Sequence, residues 1–154
     1  MAMDMGRISD ILEIQALLTD YVFALDTREL DRLDDVFMAD AVCDYRATGG
    51  RQGGWREIKP WLVEALGGFG LSQHLIGLPQ IRFDPANRDR ATSMTMLFNP
   101  MQMLPEKGGE MFFIGATYSD ELVRTDKGWR IARRTEIAPW SKDVPASVPQ
   151  GPQS

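Results

Sequence analysis

The apolar residues of this chain change period part-way along it, and that change limits the folds open to it. Ile8, Ile11, Leu12, Leu18, Val22 and Leu25 recur mostly three and four apart, the period of an amphipathic helix. From Leu71 to Ile137 the chain instead reads as β-rich runs separated by turn signals. Helices first and a strand meander afterwards predict an α+β domain, with N-terminal helices laid on a curved antiparallel sheet and a small-molecule pocket between them. A chain of 154 residues can bury such a core as one domain without staples.

Local signals set the expected boundaries. Asp4 or Ser9 is placed to cap the first helix. A second helix is expected with Leu30, Leu33, Val36 and Phe37 on one face, and Asp26 with Glu29 reads as its capping box. Ala41 to Arg46 is strand-like, and a glycine-rich loop runs from Thr48 to Gly54. A third helix is expected within Trp55 to Leu66, ended by Gly67-Gly68 and starting late enough to put Pro60 in its first turn. Strands follow at Leu71 to Phe83, with Pro79 at an edge or bulge, and at Ala91 to Phe98. Two more follow at Glu110 to Arg124 and Trp129 to Ile137. The domain is expected to span residues 1–142, followed by a flexible Pro-rich tail, 143–154.

Composition excludes several functions. With Cys43 as the only cysteine, no internal disulfide can form. A net charge of −5, with acids and bases mixed, disfavours nucleic acid as a partner. No apolar run approaches bilayer length and the first residues lack a signal peptide's apolar stretch, so a cytoplasmic, membrane-free protein is expected. Gly49 to Gly54 is neither a P-loop nor a dinucleotide fingerprint, and one His with one Cys makes no zinc site, so no metal or cofactor is expected.

Among residues that could move a proton, His74 is the only histidine and sits in an apolar stretch. Taken alone it reads first as a hydrogen-bonded structural imidazole. Asp26 is a good N-cap, or a buried carboxylate able to orient an imidazole. Tyr21 and Tyr45 are aromatic core residues, or phenols able to hydrogen-bond a developing enolate. Met94 and Met96 share one strand face; with Phe98 and Tyr118 they are expected to give the pocket an apolar wall.

The order of these segments resembles the SnoaL-like domains of the nuclear-transport-factor-2-like superfamily. The likeness covers roughly Ile8 to Ile137. It rests on Ile14 to Leu33, on Phe37-Met38-Ala39-Asp40-Ala41, on Ser72-Gln73-His74-Leu75-Ile76-Gly77, and on Tyr118 to Arg134. Within the superfamily the pattern is most similar to the scytalone dehydratase and bile-acid 7α-dehydratase families. The resemblance implies an α+β cone and a pocket Asp–His pair, Asp26 and His74, flanked by Tyr45 and Tyr21. The pattern departs from scytalone dehydratase where Met101 stands near a second histidine and Tyr118 near an asparagine, so scytalone is not the expected substrate. Some relatives use a basic residue on the last strand; Arg133 and Arg134 are the candidates, and alternation lets only one face inward.

By that resemblance the chain is expected to be a cofactor-independent lyase, a dehydratase acting on a small hydrophobic hydroxy-carbonyl compound. His74 would take a proton and return it to the leaving hydroxyl. The same resemblance leaves open a ketosteroid-type isomerase, a dehydrochlorinase, and a binding or small-subunit module. The open face of such a sheet is expected to pack on another copy, giving a homodimer or homotrimer.

Overall fold

The computed structural model describes residues 4–152. Helix α1 (Met5–Asp26) is capped by Asp4, whose Oδ1 accepts the Arg7 N–H at 2.8 Å. Its buried stripe is Ile14, Leu17, Leu18, Tyr21, Val22 and Leu25, spaced three and four apart. Leu12, in the first half, is exposed, so the core stripe begins later than the apolar count implies.

The segment after α1 corrects the expected second helix. Leu30–Asp35 is a single 3₁₀ stretch, and Phe37 already opens strand β1 (Phe37–Asp44). Asp26 is the last residue of α1, and Glu29 stands at the head of the 3₁₀ turn without a side-chain cap bond, so the capping box does not form. Arg28 takes φ 63°, a left-handed conformation that breaks the helix and is unusual for a side chain of its size.

Strand β2 (Gln52–Gly54) leads into α2 (Trp55–Leu66), which starts at Trp55 with Pro60 inside it. The reason is packing. Trp55, Ile58, Leu62 and Leu66 form one buried stripe, and Trp55 stacks on Phe37 with ring centroids 4.4 Å apart. Pro60 is exposed, so the carbonyl it leaves unbonded faces water.

Eight strands form one curved sheet ordered β2-β1-β8-β7-β6-β3. Its spine is β6 (Arg90–Met103), β7 (Met111–Thr125) and β8 (Gly128–Lys142), long antiparallel neighbours; β1 pairs with β8 in parallel. The expected strand at Leu71 to Phe83 is three short pieces, β3 (Phe69–Ser72), β4 (Leu75–Ile76) and β5 (Gln80–Phe83), all on β6. One of the breaks lies opposite Pro100. The Gln73 N–H reaches Pro100 O at 3.1 Å, but Pro100 has no N–H to return. That gap in the ladder holds His74.

With α1 and α2 packed on its concave side, the sheet is the α+β cone the sequence predicts. Among the described residues, no helix is long and apolar enough to cross a membrane. Residues 143–152 turn back toward the open end of the cone, where Val148 and Pro149 reach the cavity wall.

Candidate active site

The gap opposite Pro100 is closed by side chains. The His74 backbone N–H donates to Asp26 Oδ2 at 2.7 Å, and His74 Nδ1 lies 2.6 Å from Asp26 Oδ1. Ser72 Oγ donates to the same Oδ1 at 3.1 Å and is itself reached by Arg28 Nη1 at 2.9 Å. Arg28 also donates to Leu25 O at 2.6 Å, so its left-handed turn aims the guanidinium back at the end of α1. Burial pushes the Asp26 carboxyl up, but the hydrogen bonds and charge from His74 and the Ser72 bond outweigh it and hold Asp26 below the ordinary carboxylate range. As an ionised acceptor beside Nδ1, Asp26 keeps the proton on that nitrogen and leaves Nε2 for chemistry.

Asn99 faces the other side of the ring. With its amide nitrogen toward Gln73 O and Pro100 O, each 3.3 Å away, its oxygen lies 3.1 Å from His74 Nε2. This orientation gives Gln73 O the donor that Pro100 lacks. The oxygen bonds Nε2 only when that nitrogen carries a proton; with Nε2 bare, the amide turned over donates its N–H to it at 3.1 Å instead. Asn99 lay outside the expected site, and the only signal for it was an Asn-Pro pair between the apolar Met96-Leu97-Phe98 and Met101.

His74 and Asn99 open on a cavity of about 400 Å³. Tyr21, Tyr45 and Tyr118 line it as well. The Tyr21 and Tyr45 hydroxyls are 3.0 Å apart, and the Tyr21 ring meets Tyr118 edge-on at 5.6 Å. Burial raises all three phenols above their ordinary range, outweighing the nearby Arg134 charge, so at neutral pH they are hydrogen-bond donors rather than bases. Gly50 permits this packing. A Cβ there would lie 2.7 Å from the Trp61 ring and 2.8 Å from the Tyr45 Cβ.

The apolar wall is not the one expected. Strand alternation turns Leu97, Asn99 and Met101 inward, while Met94, Met96 and Phe98 lie on the outer face. Met96 is 71% exposed, and Phe98 stacks on Phe113 and Trp140 rather than on any cavity residue. The expectation followed apolarity, but the inner face of β6 mixes the polar Ser93, Thr95 and Asn99 with Leu97 and Met101.

On β8 a bulge decides which arginine faces inward. Trp129 and Ile131 are buried, then the register slips between Ile131 and Arg133, so Arg134 and Glu136 become the inward residues. Arg134 is fully buried and pairs with Asp120 through two bonds of 2.8 and 2.7 Å. Its guanidinium carbon lies 4.0 Å from the Tyr21 ring centroid and 4.2 Å from that of Tyr118. Arg134 therefore packs against both phenol rings where they meet. Arg133 points outward, 3.6 Å from Glu121.

A model of the SnoaL-like domain matches residues 6–135. The chain belongs to the SnoaL-like domain family. An uncharacterised protein of Mycobacterium tuberculosis (strain H37Rv) is 44% identical over 140 residues, covering 91% of this chain and 92% of its own. Among solved structures, a Novosphingobium aromaticivorans protein provisionally named a scytalone dehydratase superposes with a TM-score of 0.79 at 18% identity, over 94% of each chain. A hexachlorocyclohexane dehydrochlorinase of Novosphingobium barchaimii LL02 superposes with a TM-score of 0.73 at 19% identity, over 98% of this chain and 100% of that one. The cone is also that of a nuclear-transport-factor-2-like superfamily protein from Salmonella enterica. These structural likenesses establish the fold. Among the described residues, no cluster of three or more His, Cys, Asp or Glu side chains is arranged to hold a metal. The Cys43 thiol, buried on β1, is pushed up to about 12 by desolvation and is no nucleophile at neutral pH.

Proposed function

We propose that this SnoaL-like protein is a cofactor-independent lyase that removes water from a small hydrophobic hydroxy-carbonyl compound. The observation carrying the proposal is the 2.6 Å contact between Asp26 Oδ1 and His74 Nδ1, in a residue that lines the cavity. Asp26 fixes the tautomer, and Nε2 takes the proton from the carbon α to the carbonyl. Asn99 then accepts the new Nε2–H. The electron pair moves onto the carbonyl oxygen, where Tyr45 or Tyr21 donates a hydrogen bond, and the enolate expels hydroxide from the β carbon. The cavity admits a compact substrate, and Leu97, Met101, Ile114, Leu62 and Trp61 supply its apolar walls.

The test is His74→Asn against a panel of cyclic and open-chain β-hydroxy ketones. The wild type is expected to dehydrate one of them, and the variant to lose about a thousandfold in rate while keeping its fold. A variant with full turnover would sink the proposal. A second reading, dehydrochlorination, needs the same base and no donor for its leaving group. The cavity's apolar walls suit a halogenated ring, so β-chloro ketones belong in the panel.

A further inference from the structure

The Asp26–His74 pair accounts for a base but leaves a second buried acid on the same cavity unexplained. Glu136 lies one pleat beyond Arg134 on β8, turned inward by the bulge, and is 8% exposed. It lines the cavity together with His74. The two stand on separate walls. His74 adjoins β6, while Glu136 is on β8 with β7 between them, and the curvature of the sheet brings both onto one space.

The surroundings of Glu136 do not suit a permanent carboxylate. Among the described residues it forms no ion pair. Arg134, two residues away, gives its Nε and one Nη to Asp120, and its buried Nη1 has no bond partner and makes none to Glu136. Thr48 Oγ1 donates to Glu136 Oε2, and no described group bonds the other oxygen. The remaining ionisable neighbours are Asp44, whose charge opposes ionisation, and the phenols of Tyr21, Tyr45 and Tyr118. Burial is the largest effect and, against the Thr48 bond and the Arg134 charge, moves the carboxyl up to about 7. The group thus holds its proton through much of the neutral range. An Nε2–H on His74 is directed at Asn99 O, 3.1 Å away, rather than at Glu136.

We propose that Glu136 is the general acid of this cavity, giving its proton to the oxygen that leaves while His74 takes the proton from carbon. The assignment rests on the lyase reading above and replaces the return of the proton by His74. The step balances: the α C–H bond breaks as Nε2–H forms, its electrons become the new carbon–carbon π bond, and the β C–O bond breaks. The departing hydroxyl takes the Glu136 proton and leaves as water. His74 ends protonated and Glu136 ionised, and one proton passing through solvent resets both. Acid and base on separate walls distinguish this cavity from one in which a single imidazole serves both ends.

The test compares two leaving groups on one carbon skeleton: a β-hydroxy ketone, which needs an acid, and the β-(para-nitrophenoxy) ketone, which departs as a stable anion. Glu136→Gln is expected to lower kcat/KM for the hydroxy ketone about 100-fold and to change the nitrophenoxy ketone less than about 3-fold. Exchange of the α protons with deuterated solvent should persist in Glu136→Gln. Infrared spectra should show a protonated carboxyl band in the wild type that this variant lacks. An equal loss on both substrates, no loss on either, or no such band overturns the assignment. His74→Asn should lose both reactions and the exchange. If it keeps them while Glu136→Gln remains selective, the base is wrong and the acid stands. A wild type inert on both substrates and in exchange overturns both.

Discussion

Asp26 holds His74 twice, with Oδ2 on its backbone N–H at 2.7 Å and Oδ1 on its ring Nδ1 at 2.6 Å. One carboxylate thus sets both where the histidine enters the cavity and which way its ring turns. Asp26→Asn keeps the shape but removes the charge, and cannot accept both bonds as strongly. The rate is expected to fall at least about 100-fold, and stability by about 2 kcal/mol, the scale of hydrogen bonds to a charged group. The far-downfield proton resonance expected for Nδ1–H against a carboxylate should vanish in the variant. Its persistence would place the Nδ1 partner elsewhere.

The same carboxylate gives an acid limb to the stability curve. Its folded value is depressed below the unfolded one, so its contribution is complete above the ordinary carboxylate range and is lost as pH falls through the folded value. Denaturant unfolding of the wild type should therefore weaken more steeply toward acid pH than that of Asp26→Asn. Parallel curves would mean that the carboxylate gains nothing from folding.

Asn99 joins the ring to the strand break, supplying Gln73 O with the donor that Pro100 withholds and Nε2 with an acceptor. Asn99→Leu keeps the volume but loses both. The expected result is a loss of about 1 kcal/mol in stability and about 10- to 100-fold in rate, with KM little changed. A pure KM effect in steady-state kinetics would show Asn99 to be a substrate contact instead.

The apolar face that was expected to line the cavity points away from it. Met94, Met96 and Phe98 share that outer face, where Phe98, Phe113 and Trp140 form a stacked aromatic row. A surface of this kind is expected to cover itself with a second copy of the chain, as a homodimer or homotrimer. Met96→Glu should shift sedimentation toward the monomer while leaving the fold intact. A wild type that sediments as a monomer at all concentrations would refute this.

How much of this could be read from residue order differs by feature. The helix α1 and the three long strands follow from apolar period and turn residues, and the family pattern carried Asp26 and His74 to one site. Local chemistry alone read Asp26 as a cap, because an aspartate three residues before a glutamate suits one. A partner 48 residues away outcompetes that role. The faces of β6 and β8 were not legible for a different reason. On β6 Ser93, Thr95 and Asn99 point inward while Met94, Met96 and Phe98 point outward, and on β8 one extra residue after Ile131 exchanges the faces. Apolar alternation carries no mark of such a bulge, so Arg134 could not be told from Arg133, and Glu136 gave no sign of being buried.

Glu136 leaves its mark on stability with the opposite sign to Asp26. Its folded value, about 7, lies above the ordinary glutamate value of 4.5, so between the two the folded chain binds more protons than the unfolded one. Its effect is therefore to weaken the fold as pH rises through that window, with no further change above it. Glu136→Gln cannot ionise and escapes this loss. The variant should resemble the wild type near about pH 4 and exceed it near about pH 8, by about 3 kcal/mol if the full difference is realised. Urea unfolding at both ends of the window checks this. If the gap between the two proteins is the same at both, folding leaves the Glu136 carboxyl at its ordinary value, ionised at neutrality and unable to be the proton donor; if it opens with pH, the folded chain holds the carboxyl proton up into the neutral range.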